Sequence, residues 1–480
     1  MLSWGAMSDR TRLGLGLLGA AFVLGVLGDE LLRATPLGIN LFLWFAALAV
    51  TLVLLARWRG APLSIRSRWM LPPLLLFAAL PAWRDSPWLV ALDLFAVVAA
   101  LAFGALRAPR VHRAGLSDYV VGLGNAGAAA AARTVTLMES EIDWRDLPKG
   151  LRAGQAVAVG RGLLLAAPPL IVFGALFVAA DQVFQGFVTG AFPNVDEVFS
   201  HITLIVVLAW IAAGLLREYL GRREPFAADV RPFFTLGRTE IAVVLGSLNL
   251  LFLAFVLVQI RYLFGGNALV EGRTSLSYAE YARHGFFELV TVAALVLPLL
   301  LLGDWLRRRE TRRDDVFFRV LAGALLVLLG VVMVSALQRM RLYQREYGLT
   351  ELRVYTTGFM IWLAVVLAWA AVTVLRSRRD LFAIGALVSG FAAIFALHVL
   401  NPDALIARTN LDRPNLDVTY LTGLSDDATP TLVDALPKLD PDQRAMLESY
   451  LSERVAADDD WRTWNWSRHQ SDAALERVAP

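Results

Sequence analysis

An all-α, polytopic transmembrane helical bundle is the fold class this sequence predicts, with about eleven spans, the N-terminus in, the C-terminus out, and a small extracytoplasmic α-helical tail. Three observations carry that expectation. The 480 residues are 57% hydrophobic and 18% charged, with a mean hydropathy of +0.57, beyond the range of a soluble domain of this length. The apolar residues fall into runs close to the roughly 20 needed to cross a hydrocarbon core. The basic residues gather in short arginine clusters at alternate connections between those runs, the pattern of a multi-pass chain rather than of a nucleic-acid surface.

The spans read in order as Leu13 to Leu32, Leu37 to Ala56, Trp69 to Trp83, Pro87 to Leu106, Leu163 to Ala180, His201 to Leu216, Ile241 to Ile260, Phe286 to Leu306, Phe317 to Leu337, Leu352 to Leu375 and Leu381 to Leu400. The third and sixth are the shortest. Arg10 and Arg12 before the first run resemble a signal peptide, but the run is long and lacks a small-residue cleavage site, so it reads as a retained span. With the N-terminus inside, and with the span-end residues Arg319 and Arg353 counted to their adjoining connections, the inner segments hold 28 Lys/Arg and the outer connections 9, as the positive-inside rule requires. The cluster Arg307 to Arg313 is then a cytoplasmic stop. Four regions follow: a four-span region 1–106, a cytoplasmic interfacial segment 107–161, a seven-span core 162–400, and the tail 401–480.

The tail changes composition sharply, with 15 Asp/Glu against 8 Arg/Lys. Asn401-Pro402, Ser425-Asp426-Asp427, Asp440-Pro441 and Asp458 to Asp460 are helix-start signals. After Pro441, residues Met446, Leu447, Tyr450, Leu451 and Val455 share one helical face. Trp461, Trp464 and Trp466 read as packing or membrane-surface anchors.

Several motifs have a sharp and a bland reading. Gly122 to Gly127, "GLGNAG", fits a dinucleotide loop, but about fifty residues between two spans cannot house a nucleotide fold, and Leu116, Val120 and Leu123 suit an interfacial helix. Glu280, His284 and Glu288 share a helical face, yet one histidine with no second His or Cys beside it is a poor transition-metal site. No metal and no cofactor is expected. Absence of cysteine removes disulfides, thiolate ligands and thiol nucleophiles.

Costly polar residues collect at the outer ends of the spans. Asp29 and Glu30 end the first, Asp181 the fifth, Gln259 and Arg261 the seventh; Glu280, Arg283 and Glu288 open the eighth, and Arg353 and Tyr355 the tenth. Ionisable groups this near hydrocarbon pair or line a wet cavity. An outer-facing polar vestibule built from Asp29, Glu30, Asp181, Arg261, Glu280, Arg283, Glu288 and Arg353 is therefore expected, with those arginines meeting acids of other spans. Asp93 stands apart as buried in the fourth span, and Asp304 as an inner ion-pair partner. Arg84 and Asp85, in a short outer connection, are expected to be freely solvated.

Six segments in order, "FGALFVAADQVF", "LGRTEIAVVLGSLNLLFLAFVLVQIRYLFGG", "YAEYARHGFFEL", "GLTELRVYTTGFMIWL", "NPDALIAR" and "DVTYLTGLSDDATPTL", resemble a bacterial family of multi-pass membrane proteins known only as a domain of unknown function. The resemblance runs from about Gly162 to the C-terminus, implies a bacterial cytoplasmic-membrane protein and supplies no activity. Its segments lie largely at the outer face. The expected role is a non-enzymatic sensor or interaction protein, with the lipid bilayer and an envelope protein or lipid as partners and no nucleic acid. A transporter is the first rival, and an enzyme of lipid-linked material the second, using Glu280 or Glu288 as acid and Arg261 or Arg353 as stabiliser.

Overall fold

The computed structural model describes residues 8–60, 62–105, 195–220, 234–264, 286–308, 311–373, 375–376, 380–454 and 460–478, with isolated positions between 134 and 181. The glycine motif, the interfacial segment 107–161 apart from Thr134 and Leu137, His284, and most of the predicted fifth span lie outside the described residues.

Nine helices among the described residues are long and apolar enough to cross a membrane. They are contained in α1 (Asp9–Leu32), α2 (Ile39–Trp58), α4 (Pro87–Ala105), α5 (Val195–Leu220), α6 (Arg238–Phe264), α7 (Phe286–Leu306), α8 (Arg312–Tyr347), α9 (Glu351–Thr373) and α10 (Asp380–Leu400). The short third run becomes α3 (Ile65–Ala79), which carries Pro72 and Pro73 and is continued by a 3-10 turn, Leu80–Ala82. The sixth run, short in the sequence, is extended to 26 residues in α5 by polar ends.

Local chemistry sets the helix starts. Ser8 accepts from the Thr11 amide to cap α1, and Thr311 and Asp314 form a reciprocal capping box at α8. At 36 residues, α8 is about 54 Å long at 1.5 Å per residue, so it outreaches the ~30 Å hydrocarbon core. Its surplus is the polar stretch that includes Gln338, Arg339, Arg341 and Arg345.

The spans pack as two bundles. One core joins α1 to α5, with Leu24, Leu48, Leu74, Phe77 and Leu216 almost fully buried, and takes Phe391 and Ile394 from α10. The second joins α6 to α9 around Phe318, Leu325, Leu329 and Met360. Gly25 marks a close backbone approach in the first bundle: a Cβ there would lie 2.5 Å from the Ile205 carbonyl oxygen and 2.7 Å from Ala209 Cβ, so α1 and α5 touch backbone to backbone. On the face away from the tail, Leu236 pairs with Leu306 and Arg308 through backbone hydrogen bonds, and Arg307 holds Asp304 at 2.9 Å, the ion pair expected of Asp304 beside the arginine cluster.

The tail folds as α11 (Pro402–Leu411), α12 (Val418–Thr422), α13 (Thr429–Ala435), α14 (Pro441–Glu453) and α15 (Trp466–Leu475). Asn401-Pro402 and Asp440-Pro441 open α11 and α14 as predicted, whereas Ser425 and Asp460 each open only a three-residue 3-10 turn. Asn401 takes a left-handed φ of 52° and caps Ala404 ahead of Pro402, and Asn465 caps α15 at Arg468. Leu447 and Leu451 are buried in the tail core with Ile406, Leu421, Ala428 and Leu432, and Val354 of α9 joins them. Met446, expected on the same face, is instead 48% exposed; the tail core is narrower than the five-residue stripe.

Candidate functional site: the tail junction

The chain's first four helices leave Pro81 to Ser86 as the hairpin between α3 and α4, and the tail seats on it. Asp427, 4% exposed, is the hub. Its Oδ2 accepts the backbone amides of Asp85 at 2.9 Å and Ser86 at 3.0 Å, and its Oδ1 accepts from the Ser467 hydroxyl and, at 3.4 Å, from Arg84. One buried carboxylate thus satisfies two hairpin amides that would otherwise be orphaned. Asn465 adds two bonds, donating to the carbonyls of Pro81 at 2.7 Å and Arg84 at 3.0 Å, and Arg468 donates to the Leu37 carbonyl at 2.7 Å.

Acids outnumber their arginines here. Asp85 lies 3.0 Å from Arg468 Nε, but that N–H is not aligned into a hydrogen bond. Burial, then the charges of Asp426 and Asp427, push the Asp85 carboxyl up to about 6, and Arg468 only partly opposes them. Asp403 on α11 is unexposed; its Oδ2 accepts from the amide and hydroxyl of Ser425, and burial followed by the charge of Asp427 raises its pKa. Ser86 Oγ and Tyr355 Oη are 3.1 Å apart, linking the hairpin to α9. Arg454 binds Asp426 at 2.9 Å, and Arg84 donates to the His398 carbonyl at 3.0 Å at the end of α10.

Arg84 and Asp85 are therefore not solvated, contrary to the sequence expectation. A short connection between two spans looks exposed only while the tail that covers it, some 340 residues later, is out of view.

The vestibule residues distribute differently from one another. Asp29 on α1 binds Arg33 at 2.8 Å and His201 of α5 at 2.5 Å. Glu30 meets a tail arginine, Arg462, at 3.2 Å. That arginine is itself held by Asp460, whose carboxyl it keeps below the usual range through hydrogen bonds. Arg353 engages the carbonyls of Tyr347 and Gly348 at 3.0 and 2.6 Å and lies 4.2 Å over the Tyr343 ring. Glu288 and Asp181 are exposed. Glu280, Arg283 and the Arg261 side chain lie outside the described residues. Among the described residues no three His, Asp or Glu side chains are placed to hold a metal.

An apolar crevice of about 240 Å³ opens between α4, α9 and α10, lined by Phe95, Phe103, Trp362, Phe382 and Phe391. Trp362 is nine residues, about 13 Å along the helix, from Arg353, so this groove does not flank Arg353, one of the two arginines named as stabiliser for an enzyme of lipid-linked material.

The fold and this junction define a class: a multi-pass helical membrane protein whose C-terminal domain is seated on one set of span ends. The chain belongs to the family described as a domain of unknown function (DUF4153), which matches residues 71–435. No curated protein and no solved structure matches the chain. The family match begins earlier than the segment resemblance, in α3, and ends at Ala435. It takes in the Arg84 to Ser86 hairpin, Asp403 and Asp427, and leaves out Asn465 and Arg468. Asp403 and Asp427 sit inside "NPDALIAR" and "DVTYLTGLSDDATPTL", segments singled out by the resemblance; that was the available signal, and as helix-start residues they gave no hint of their partners.

Proposed function

We propose that this chain is a non-enzymatic sensor or interaction protein of the bacterial cytoplasmic membrane, with the tail and the span ends beneath it engaging an envelope protein or lipid outside the cytoplasm. One observation supports the reading: Asp427 joins the tail to a span hairpin through buried, charge-assisted hydrogen bonds, while Trp461, Trp464 and Trp466 stand 64%, 45% and 43% exposed on the same domain. A contact on those rings is mechanically continuous with the ends of α2, α4, α9 and α10. Exposed tryptophans paired with a buried anchor suit recognition, and the anchor gives recognition a route to the spans.

The test uses photoreactive residues placed singly at Trp461, Trp464 and Trp466 in the full-length protein in cells. The reading expects one discrete adduct, formed from these positions and not from exposed Arg313, and lost when the Asp427 anchor is replaced. Adducts of equal yield from every surface position would overturn it. Solute flux through the purified protein in vesicles, or turnover of a lipid-linked substrate, would move the assignment to a transporter or an enzyme.

A further inference from the structure

Asp93 on α4 and His398 on α10 are both 0% exposed and 305 residues apart in sequence. His398 Nδ1 lies 3.0 Å from the Ile394 carbonyl oxygen. A carbonyl only accepts, so Nδ1 carries a hydrogen. His398 Nε2 lies 3.0 Å from Asp93 Oδ2. Two lone pairs cannot face each other at that separation, so one proton lies between them, on the imidazole or on the carboxyl. Either placement leaves the pair with no net charge, whereas removing the proton leaves one buried negative charge and adding another leaves one buried positive charge. Asp93 Oδ1 is buried with no hydrogen-bond partner, which further disfavours a bare carboxylate. Ionisable side chains inside a span are costly and mark sites of function.

We propose that Asp93 and His398 form a binding site for one proton at membrane depth, and that its occupancy is coupled to the seating of the tail through Arg84. Arg84 donates to the His398 carbonyl at 3.0 Å and reaches Asp427 at 3.4 Å. Its guanidinium lies 4.7 Å from the centre of the Trp83 ring, which stacks on the His398 imidazole at 6.2 Å and 28°. The charged and titratable groups at this end of α4 and α10 are Arg84 and Asp85 of the hairpin, Asp427 of the tail, Asp403 of α11, and Glu351 and Tyr355 of α9. Arg68 of α3 and Glu218 and Tyr219 of α5 stand at the opposite ends of their helices. When the proton leaves to solvent, the pair becomes singly negative with opposed lone pairs, and Arg84 is the cation in place to follow. Its movement from Asp427 toward Asp93 neutralises the pair and loosens the clamp on the tail. The reverse movement restores both. By linkage, seating the tail must in turn change the proton affinity of the pair. The proposal rests on this geometry and not on what the tail engages.

The test is made on the full-length protein in lipid bilayers. Infrared spectra report a protonated buried carboxyl and nitrogen-15 NMR an imidazolium, assigned by Asp93→Asn and His398→Gln among the chain's five histidines. Near neutral pH one of the two signatures is expected and not both. A carboxylate beside a neutral imidazole, or both groups protonated, overturns the site. The coupling is read as the midpoint of that signature between about pH 4 and 10. Arg84→Gln removes a nearby positive charge and should raise the midpoint by about one unit, a tenfold change in proton affinity. Asp427→Asn leaves Arg84 uncompensated and should lower it. Opposite signs separate coupling from general loosening, which would move both variants the same way. A signature that never titrates, or midpoints unmoved or moved in one direction, overturns the coupling.

Discussion

Replacing Asp85 by asparagine should strengthen the seating of the tail at pH 7.5, although Asp85 faces Arg468. In the seated state its carboxyl stands at about 6 against an ordinary 3.8, with burial the largest cause. With a side chain only 20% exposed, the group is little screened by solvent. A shift of about two units at 1.36 kcal/mol per unit amounts to about 3 kcal/mol. The sign follows from linkage: the seated pKa is raised, so below about pH 3 Asp85 is largely neutral in both states and seating is unopposed. As pH rises toward 6 the unseated acid ionises and the seated one resists, so seating weakens and stays weaker above. An asparagine side chain resembles the protonated acid at every pH. The Asp85→Asn variant should match the parent at about pH 3 and exceed it at pH 7.5 by about 3 kcal/mol, on the order of a hundredfold fewer openings. Hydrogen exchange of amides in α13 and α15, corrected for the pH dependence of intrinsic exchange, measures this directly. Weaker protection in the variant at pH 7.5, as a simple salt-bridge account requires, would refute the reasoning. Asp403, raised in the same direction, should leave a residual slope in the variant.

Asp427→Ala should unseat the tail at a cost of about 3–5 kcal/mol, because it strands Arg84 and two hairpin amides; increased protease cutting between the tail helices with intact spans checks it. Gly38→Ala places a Cβ 2.5 Å from the carbonyl oxygens of Thr463 and Trp464 and should break the Ile39 amide bond to Trp464, raising exchange in the Trp461 to Thr463 turn before it affects the α1–α2 contact. Gly25→Ala should force α1 and α5 apart for about 1–3 kcal/mol and lower the thermal midpoint in detergent, whereas Gly19→Ala, with open space around its Cβ, should not.

The spans were legible because hydropathy is additive along a chain: α1, α2, α4 and α6 to α10 coincide with apolar runs, and in the tail α11 and α14 begin at their predicted Asn-Pro and Asp-Pro starts. Asp93 was legible as buried because it is the lone acid in its run. Its partner was not, since His398 at the end of α10 has no local feature that sets it apart from an interfacial histidine. The junction escaped for the same reason. Arg84 and Asp427 are separated by 343 residues, and each has a sufficient local explanation, one as a loop charge and the other as a helix start. Among the polar residues at span ends, Asp29 pairs with Arg33 and His201 and Arg353 takes backbone carbonyls, and pattern alone could not say that Glu30 would find its arginine in the tail.

Cysteine accessibility tests the central claim most directly, because the chain has no native cysteine. Single cysteines at Trp461, which is exposed, at Ser467, which is 2% exposed beneath the tail, and at Arg313, at the opposite end of the spans, are labelled with a membrane-impermeant maleimide in intact cells. A seated extracytoplasmic tail predicts labelling at 461 in intact cells, at 313 only after permeabilisation, and at 467 only when Asp427 is also replaced. Labelling at 467 as fast as at 461 with Asp427 intact, or at 313 in intact cells, would contradict the account.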